Sequence, residues 1–253
     1  ENQKYRDTVK NTIEFEPQIL KRYVNFMNNP DEETAVAQFG RGDKYFGVCT
    51  LMVTMPGLPM FGHGQLEGFE EKYGMEYTKA YKDETPDYDL LERHKHDIFP
   101  LMKKRYLFSG VEDFFFYDVW SNGSVNENVF AYSNRYGDER AIVFYNNVYN
   151  QANGWIQTSC KYAVKDAEGN IHQETKNLCD ALGLSSEPNT YLIFREHRTE
   201  KWIRNTEYHE KEHISYRFCD DSYGRVSERP DSAWCCCRQV CAGRILFSAC
   251  MWY

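Results

Sequence analysis

Apolar residues recur at helical spacing in the first part of the chain and predict three helices there. Residues 3–21 carry apolar positions among charged ones, with an interruption at Pro17. Residues 45–53 ("YFGVCTLMV") are apolar nearly all round, which predicts a buried helix. Residues 88–108 return to helical spacing, and we expect a kink or a new helix start at Pro100.

Two short runs between these helices predict buried strands. The run "YVNFM" (23–27) is aromatic and β-branched, and it ends at two asparagines and Pro30, which favour a turn. The run "LPMFGHG" (58–64) contains a proline that excludes a helix interior, and it opens into a glycine-rich loop. Alternating helices and strands are typical of a parallel sheet. Because parallel strands end at the same edge, Asp31 and the loop "GHGQLEG" are expected to lie close together.

The pattern changes after Ser109. Short β-rich runs follow one another, separated by polar turns: "DFFFYDV", "NVFAYSN", "AIVFYNN", "WIQTSCKYAV" and "TYLIFRE". Residues 128–134 and 141–147, joined by "RYGDE", predict a β-hairpin. The sequence therefore predicts an α/β region over 1–108 and an antiparallel sheet or sandwich over 109–208, with a domain boundary near Ser109.

From about His209 onward the apolar residues follow neither helical nor strand spacing, so we predict an irregular segment over 209–253. Six of the nine cysteines lie there, four of them in "CCCRQVC". Zinc sites favour two-residue gaps in two separate cysteine pairs, and a disulfide framework needs spaced partners, so neither is expected. The resulting hypothesis is that this segment is not native to the fold, as a frameshifted reading would produce. An intact reading frame in the parent gene would contradict it.

The composition is that of a folded protein without an obvious polyanion partner. The 253 residues are 42% hydrophobic and 16% aromatic, which is enough for a sizeable core. The net charge of -8 comes without a long basic run, so we expect neither nucleic acid nor a membrane as partner. The longest nearly apolar run, 45–55, is about half of the ~20 residues that span a bilayer. The polar start "ENQKYRDTVK" is unlike a secretory signal, which favours a cytoplasmic location.

Asp31 is the first candidate functional residue, and two interpretations of it are open. An aspartate before "EETA" suits a helix N-cap, whereas its place at a shared strand edge suits an active site. Asp31 and Glu67 could also form a pair of acid and nucleophile, although nothing in the sequence fixes their separation. His63 has no second ligand at a recognisable spacing, so we expect a hydrogen-bonding loop histidine and no metal site. No cofactor is predicted either.

Several of these segments resemble the α-amylase superfamily, glycoside hydrolase family 13. "VNFMNNPDEETA" is similar to its strand-seven motif, which is usually Phe, two variable residues, Asn, His and Asp. "LMVTMPGLPMFGHGQLEG" resembles the strand-eight segment, and "HDIFPLMKKRYLFSG" resembles the last barrel helix. "VFAYSNRYGDERAIVFYNN" is similar to the β-sandwich that follows the barrel. The resemblance spans roughly residues 10–194 in consistent order.

The resemblance implies a role for Asp31. It falls on the carboxylate that orients the sugar and stabilises the positively charged transition state of a retaining glycosidase. Asn29 aligns as a neighbouring substrate-binding residue. His63 and Gln65, in the strand-eight loop, are further candidates for substrate binding.

Two positions depart from the family pattern. Pro30 stands where a histidine is usual, which removes one donor to a sugar hydroxyl. The usual glutamate of the strand-eight loop falls on Leu66, so the resemblance gives Glu67 no role.

For the whole chain, the resemblance implies the C-terminal portion of a (β/α)8 barrel followed by an antiparallel β-sandwich. The nucleophile and the acid/base of the family belong to strands four and five, so we expect this chain to be inactive alone. Its expected substrate is an α-glucan or a maltooligosaccharide. A partial barrel should also expose apolar strand flanks and be prone to aggregation.

Two other functions stay open. A glucanotransferase of the same superfamily would use the same residues and pass the sugar to another sugar. A non-catalytic carbohydrate-binding module would instead use exposed aromatic residues of the β-rich region, such as Trp155 and Tyr149. His94 and His96 point to different faces of a helix and are expected to be packing and surface residues. The stretch "YKDETPDYDLLE" could border a sugar cleft or be a solvated loop.

Overall fold

The computed structural model of the protein describes residues 2–184, 193–200, 202–204, 214–217 and 245–250. The helices of this part of the chain are α1 (Asn2–Phe15), α2 (Ala35–Phe39), α3 (Asp43–Thr54), α4 (Tyr88–Arg93), α5 (Phe99–Met102), α6 (Arg105–Phe108) and α7 (Leu178–Leu182). The first strands are β1 (Val24–Phe26), β2 (Leu58–Met60), β3 (Phe115–Tyr117), β4 (Trp120–Ser121), β5 (Ser124–Val125), β6 (Val129–Tyr136) and β7 (Glu139–Asn146). The later strands are β8 (Asn153–Ile156), β9 (Tyr162–Lys165), β10 (Ile171–Glu174), β11 (Ile193–Glu196), β12 (Trp202–Arg204), β13 (Ile214–Arg217) and β14 (Ile245–Cys250).

The three predicted helical regions are confirmed. α1 ends at Phe15, and a 3-10 helix over Pro17–Arg22 begins with the proline, whose missing N–H costs nothing at a first position. α3 is buried around most of its surface, as its nearly continuous apolar sequence predicts. Between α4 and α5 lies a π-helical turn over His94–Ile98, and Pro100 sits in the first turn of α5. The helical backbone is continuous through residues 88–102, with the π-helical turn directly before the proline, so the expected kink or new start at Pro100 stays a prediction.

The parallel pairing of the two short strands is also confirmed. β1 and β2 lie side by side, with Val24 opposite Leu58 and Phe26 opposite Met60. In the described residues these two strands form a sheet of their own. Val24, Phe26 and Leu58 are 46%, 43% and 63% exposed, respectively. The expected exposed apolar flank is thus present on this small sheet.

The β-rich region contains the predicted hairpin. β6 and β7 pair antiparallel from Val129 opposite Asn146 to Tyr136 opposite Glu139. The turn between them includes Gly137 at a φ of 57°, a left-handed conformation that glycine adopts without strain. Within the described ranges, the hairpin belongs to a six-stranded sheet of order β12-β11-β14-β7-β6-β3. A four-stranded sheet has the order β13-β8-β4-β5, and β9 pairs with β10. Antiparallel pairing prevails, as predicted, while β14 runs parallel to both of its neighbours.

The hairpin is buried on both faces. On one face, Tyr132 and Val143 pack into an apolar cluster that also contains Val9, Phe46 and Phe108 of the helical region. On the other face, side chains that alternate with these pack against α7 and β8: Ala131, Ile142 and Phe144 with Leu178 and Ile156. This two-sided burial explains why six consecutive residues of each strand are buried. The region is layered, although the described sheets do not establish a sandwich.

The apolar core crosses the predicted boundary near Ser109, because one cluster includes residues from both sides of it. Polar contacts cross it as well. Arg6 of α1 is 2% exposed, donates from Nη1 to the carbonyl oxygen of Val129 at 2.7 Å and pairs with Asp118. Lys10 Nζ lies 3.0 Å from Asp118 Oδ2. The helical and β-rich regions therefore pack against each other, and the assignment of 1–108 and 109–208 as separate domains stays a prediction.

The segment after His209 is partly ordered into strands. β13 pairs antiparallel with β8, and β14 pairs along β7 from Ile245 opposite Arg140 to Cys250 opposite Tyr145. The prediction of irregular structure is wrong for these two strands, because each is held by hydrogen bonds to a strand distant in sequence. The stretch "CCCRQVC" lies outside the described residues, and the non-native origin of 209–253 stays a hypothesis. Within the described ranges, none of the helices is both long and apolar enough to span a bilayer.

Candidate functional site

The carboxyl ends of β1 and β2 meet at one cavity, which we call the rim pocket. Its volume is ≈ 190 Å³. It is lined by Asn28, Asn29, Pro30, Glu32 and Thr34 after β1, by Met60, Phe61, Gly62 and His63 at the end of β2, and by Glu71, Lys72 and Tyr73. The two strand ends are about thirty residues apart in sequence and are brought together by parallel pairing. Their expected proximity is confirmed.

A tight turn after β1 fixes the position of Asp31. Asn29 Oδ1 accepts hydrogen bonds from the backbone N–H groups of Asp31 and Glu32, both at 2.9 Å, which is an Asx turn. Lys72 Nζ donates to the Asp31 carbonyl oxygen at 2.8 Å. The Asp31 side chain is exposed, and no hydrogen bond or ion pair within the described part of the chain uses its carboxylate. Asp31 therefore presents an unpaired carboxylate beside the pocket, on a turn held at both ends.

The N-cap interpretation of Asp31 is wrong. Thr34 is the N-cap of α2, and its Oγ1 accepts from the backbone N–H of Ala37 at 3.4 Å. The acidic residues before it belong to the turn and not to the helix.

Asn29 and His63 are both placed in the wall of the rim pocket. Since the Oδ1 atom of Asn29 is used by the turn, its amide NH₂ is the group left for a ligand. The exposed His63 ring packs edge-on against Tyr73, with ring centroids 4.2 Å apart. Tyr73 in turn lies 4.5 Å from Tyr77, also centroid to centroid. In the described ranges, no group of three or more His, Cys, Asp or Glu side chains is arranged to hold a metal ion.

Gln65 is placed differently from its prediction. Its side chain is 2% exposed, and its Oε1 accepts from the Gly62 N–H at 3.0 Å while Nε2 contacts Met27 Sδ at 3.3 Å. Its carbonyl oxygen accepts from Tyr45 Oη at 2.8 Å. The predicted substrate contact has no support from this placement, because the side chain holds the glycine loop from the inside and is absent from the pocket wall.

A buried carboxylate, Glu71, which the sequence patterns did not indicate, holds a loop in the pocket wall. Glu71 accepts hydrogen bonds from the backbone N–H groups of Tyr81 and Lys82 at 2.8 and 2.9 Å. These hydrogen bonds lower the pKa of Glu71 below its ordinary value. Glu84 accepts from the N–H groups of Glu70 and Glu71 in the same way. The loop that places Lys72 and Tyr73 in the wall is therefore fixed by carboxylates ten or more residues away, and no local pattern marks such partners.

The pairing of Asp31 with Glu67 finds no support. Neither residue lines the rim pocket, and Glu67 holds the Asp87 N–H through its own carbonyl oxygen at 2.9 Å. The stretch "YKDETPDYDLLE" does not line the pocket either, and Tyr81 and Tyr88 in it are 80% and 72% exposed. That placement favours a solvated loop.

The two helix histidines are placed as predicted. His94 is fully buried, with Nδ1 2.9 Å from the Leu90 carbonyl oxygen and Nε2 3.1 Å from Tyr45 Oη. Burial lowers the pKa of His94. His96 is 59% exposed and pairs with Asp97. One histidine packs and the other lies on the surface, because their side chains leave the helix in different directions.

An aromatic pair lies on the four-stranded sheet. The Trp120 and Trp155 rings are stacked at 6.2 Å with an interplanar angle of 21°, and each residue is 39% exposed. Tyr149 is 71% exposed. Exposed aromatic faces of this kind suit sugar rings, so they bear on the carbohydrate-binding alternative.

Comparisons with known proteins give partial structural likenesses. No family model matches the chain, and no curated protein does. A debranching enzyme from Nostoc punctiforme is similar with a TM-score of 0.42 and 14% identity, over 64% of this chain and 34% of that chain. A noncanonic maltogenic α-amylase from Thermotoga neapolitana gives a TM-score of 0.40 and 15% identity, over 69% and 44% of the two chains. An α-amylase from Geobacillus thermoleovorans, complexed with acarbose, gives 0.46 and 12%, over 78% and 37%.

This chain thus spans between about a third and less than half of the length of these structures. At such identities and TM-scores, the likeness by itself assigns neither a fold nor an activity. The chain is similar, over part of its length, to structures of amylase-type enzymes.

Proposed function

We propose that this chain is the C-terminal part of a retaining glycosidase that acts on α-glucans. In this proposal β1 and β2 are the last two strands of a (β/α)8 barrel, and the β-rich region is the sandwich that follows it. The observation that carries the proposal is the rim pocket itself: two parallel strands end at one cavity, beside an unpaired carboxylate on a rigid turn. The exposed flank of Val24, Phe26 and Leu58 is where further barrel strands would pack.

In this proposal Asp31 stabilises the transition state. Glycosidic bond cleavage develops positive charge on the sugar ring, and an unpaired carboxylate held beside that ring lowers its energy. The Asn29 amide and the His63 imidazole, both in the pocket wall, would donate to or accept from sugar hydroxyls. The nucleophile and the acid/base, about 5–5.5 Å apart in a retaining enzyme, would come from the part of the barrel that precedes this chain. The chain alone would then be inactive.

The test compares hydrolysis of maltooligosaccharides by this chain and by the same chain extended with the residues encoded upstream of Glu1. We expect turnover by the extended protein only, and a loss of roughly 10²–10³ in kcat for Asp31→Asn, the range found when one electrostatic stabiliser is removed. Asp138→Asn is the matched control, because it changes an exposed aspartate in the β6–β7 turn. Full activity of the Asp31→Asn enzyme would refute the assigned role. Turnover by the short chain would refute the inference that this chain lacks the nucleophile.

Two alternatives are separated by related assays. A glucanotransferase would convert maltotriose to longer oligosaccharides with the same dependence on Asp31. The carbohydrate-binding alternative is favoured by one observation, the exposed stack of Trp120 and Trp155. It predicts that Trp155→Ala abolishes glucan binding while Asp31→Asn leaves binding unchanged.

A further inference from the structure

Asn28 lines the rim pocket and carries a hydrogen-bonding group that is unsatisfied within the described part of the chain. The residue is 6% exposed, and its Oδ1 atom is buried with no hydrogen-bond partner in the described part of the chain. Asn134 and Asn146 share this property, but they lie on β6 and β7 and do not line the pocket. An amide oxygen without a partner is costly in a protein interior, so its presence at a cavity points to a ligand group.

The Asn28 side-chain amide packs against Gly62 of the glycine loop. A Cβ atom on Gly62 would lie 2.5 Å from Asn28 Nδ2 and 2.7 Å from Oδ1, so the amide packs directly on the glycine. Gly62 is itself held by Gln65 Oε1, which accepts from its N–H at 3.0 Å. The amide is therefore confined between the end of β1 and the glycine loop. The terminal torsion of asparagine is broad and roughly two-fold, so rotation about it can turn either Oδ1 or the NH₂ group toward the cavity.

Other lining residues of the rim pocket suit a sugar ring. Tyr73 and His63 present aromatic surface, and the cavity of ≈ 190 Å³ is on the scale of one hexose ring. A sugar hydroxyl is both a donor and an acceptor, which matches an amide that offers one of each.

We propose that Asn28 is a substrate-binding residue of the rim pocket and that its amide recognises one hydroxyl group of a glucose unit. This inference rests on the proposed function, since it takes an α-glucan as the ligand. It adds a specificity-determining contact: the amide selects the sugar that presents a hydroxyl at this point and rejects the analogue that lacks it.

The experiment measures maltotriose binding to the full 253-residue chain by calorimetry. We compare the wild type, Asn28→Ala and the control Asn134→Ala, which removes another buried asparagine with an unsatisfied Oδ1, outside the pocket. Each protein is also titrated with a series of monodeoxy maltotrioses. We expect Asn28→Ala to bind maltotriose about tenfold more weakly, or about 1.4 kcal/mol. One deoxy sugar should lose the same factor with the wild type and nothing further with the variant, because the two changes remove one hydrogen bond.

The outcomes separate the two proposals. If the wild type does not bind maltotriose, this inference fails, whereas the proposed function is decided by turnover of the extended protein. If the wild type binds and Asn28→Ala binds equally well, or if Asn134→Ala weakens binding as much, only the assignment of Asn28 fails. If Asn28→Ala does not fold, the side-chain NH₂ resonances of the wild type decide: saturation with maltotriose should shift those of Asn28 and leave those of Asn134 in place. An unshifted Asn28 signal would overturn the inference.

Discussion

Gly47→Ala is predicted to destabilise the protein, although alanine is the better helix former. Gly47 lies inside α3, where Gly→Ala normally stabilises by about 1 kcal/mol. Here the added Cβ would lie 2.3 Å from Cε2 and 2.9 Å from Cδ2 of Tyr145 on β7. Both partners are fixed, because the helix is buried and Tyr145 is 1% exposed with its Oη bonded to Asn147. We therefore take the upper end, about 3 kcal/mol, of the usual cost of overpacking. The net expectation is a loss of about 2 kcal/mol.

The sign should reverse when the ring is removed. Tyr145→Val keeps a strand-forming side chain but deletes the clashing ring atoms, so Gly47→Ala in that background should stabilise by about 1 kcal/mol. The coupling between the two sites is then about 3 kcal/mol. Urea unfolding followed by circular dichroism measures it, with a fall in Cm on the order of 1 M for Gly47→Ala alone and an unchanged m value.

Because the contact joins the helical region to the β-rich region, this cycle also tests whether they fold as one body. Equal effects of Gly47→Ala in both backgrounds, or a stabilised single variant, would refute the packing described above.

Two further outcomes concern the pocket. Tyr45→Phe should cost about 2 kcal/mol in thermal unfolding, since it leaves the Gln65 carbonyl oxygen buried without its donor and His94 Nε2 buried without its hydroxyl partner. Tyr81→Phe, on an 80% exposed side chain, should change nothing measurable and serves as control. The pKa of Glu71 is lowered, so its carboxylate stabilises the loop fully at a pH above the ordinary pKa of 4.5. This stabilisation is lost as the pH falls through the lowered pKa. Hydrogen exchange of the two N–H groups that it binds should therefore lose protection only below pH 4.5 in the wild type, whereas protection that is equally pH-dependent in Glu71→Gln would contradict this origin.

The parts of the fold that were predicted correctly depend on short-range patterns. α3 is apolar nearly all round, and the hairpin of β6 and β7 is flanked by turn residues, so each element is specified by its own residues. β14 was missed because its pairing with β7 joins segments about a hundred residues apart, and a pairing at that distance leaves no mark in the local sequence pattern. The segment 209–253, which contains β14, shows neither helical nor strand spacing of its apolar residues, so no element was predicted there.

The candidate site likewise contains residues that local patterns predicted and residues that they did not. Asn29, Asp31 and His63 lie at strand ends, where a strand pattern followed by turn residues marks a rim, and the structure places all three at or beside one cavity. Gln65 does not line the cavity, because the direction of a loop side chain depends on what packs beneath it; here contacts with Met27 and Gly62 hold it inward, and its substrate contact stays a prediction. Asn28 and Tyr73 were not predicted, since an asparagine in a turn and a tyrosine in a polar loop are ordinary residues until they share a cavity.

The sequence by itself determined the three helical regions before Ser109, the hairpin of β6 and β7, the turn that presents Asp31 and the glycine loop after β2, because each of these follows from the preferences of adjacent residues. Only the tertiary structure decided which side chains line the rim pocket, that one core joins the two regions, and that Glu71 and Gln65 hold loops by hydrogen bonds to the backbone. Those properties depend on which distant groups satisfy each buried hydrogen bond and fill each volume, and a local pattern does not contain that information.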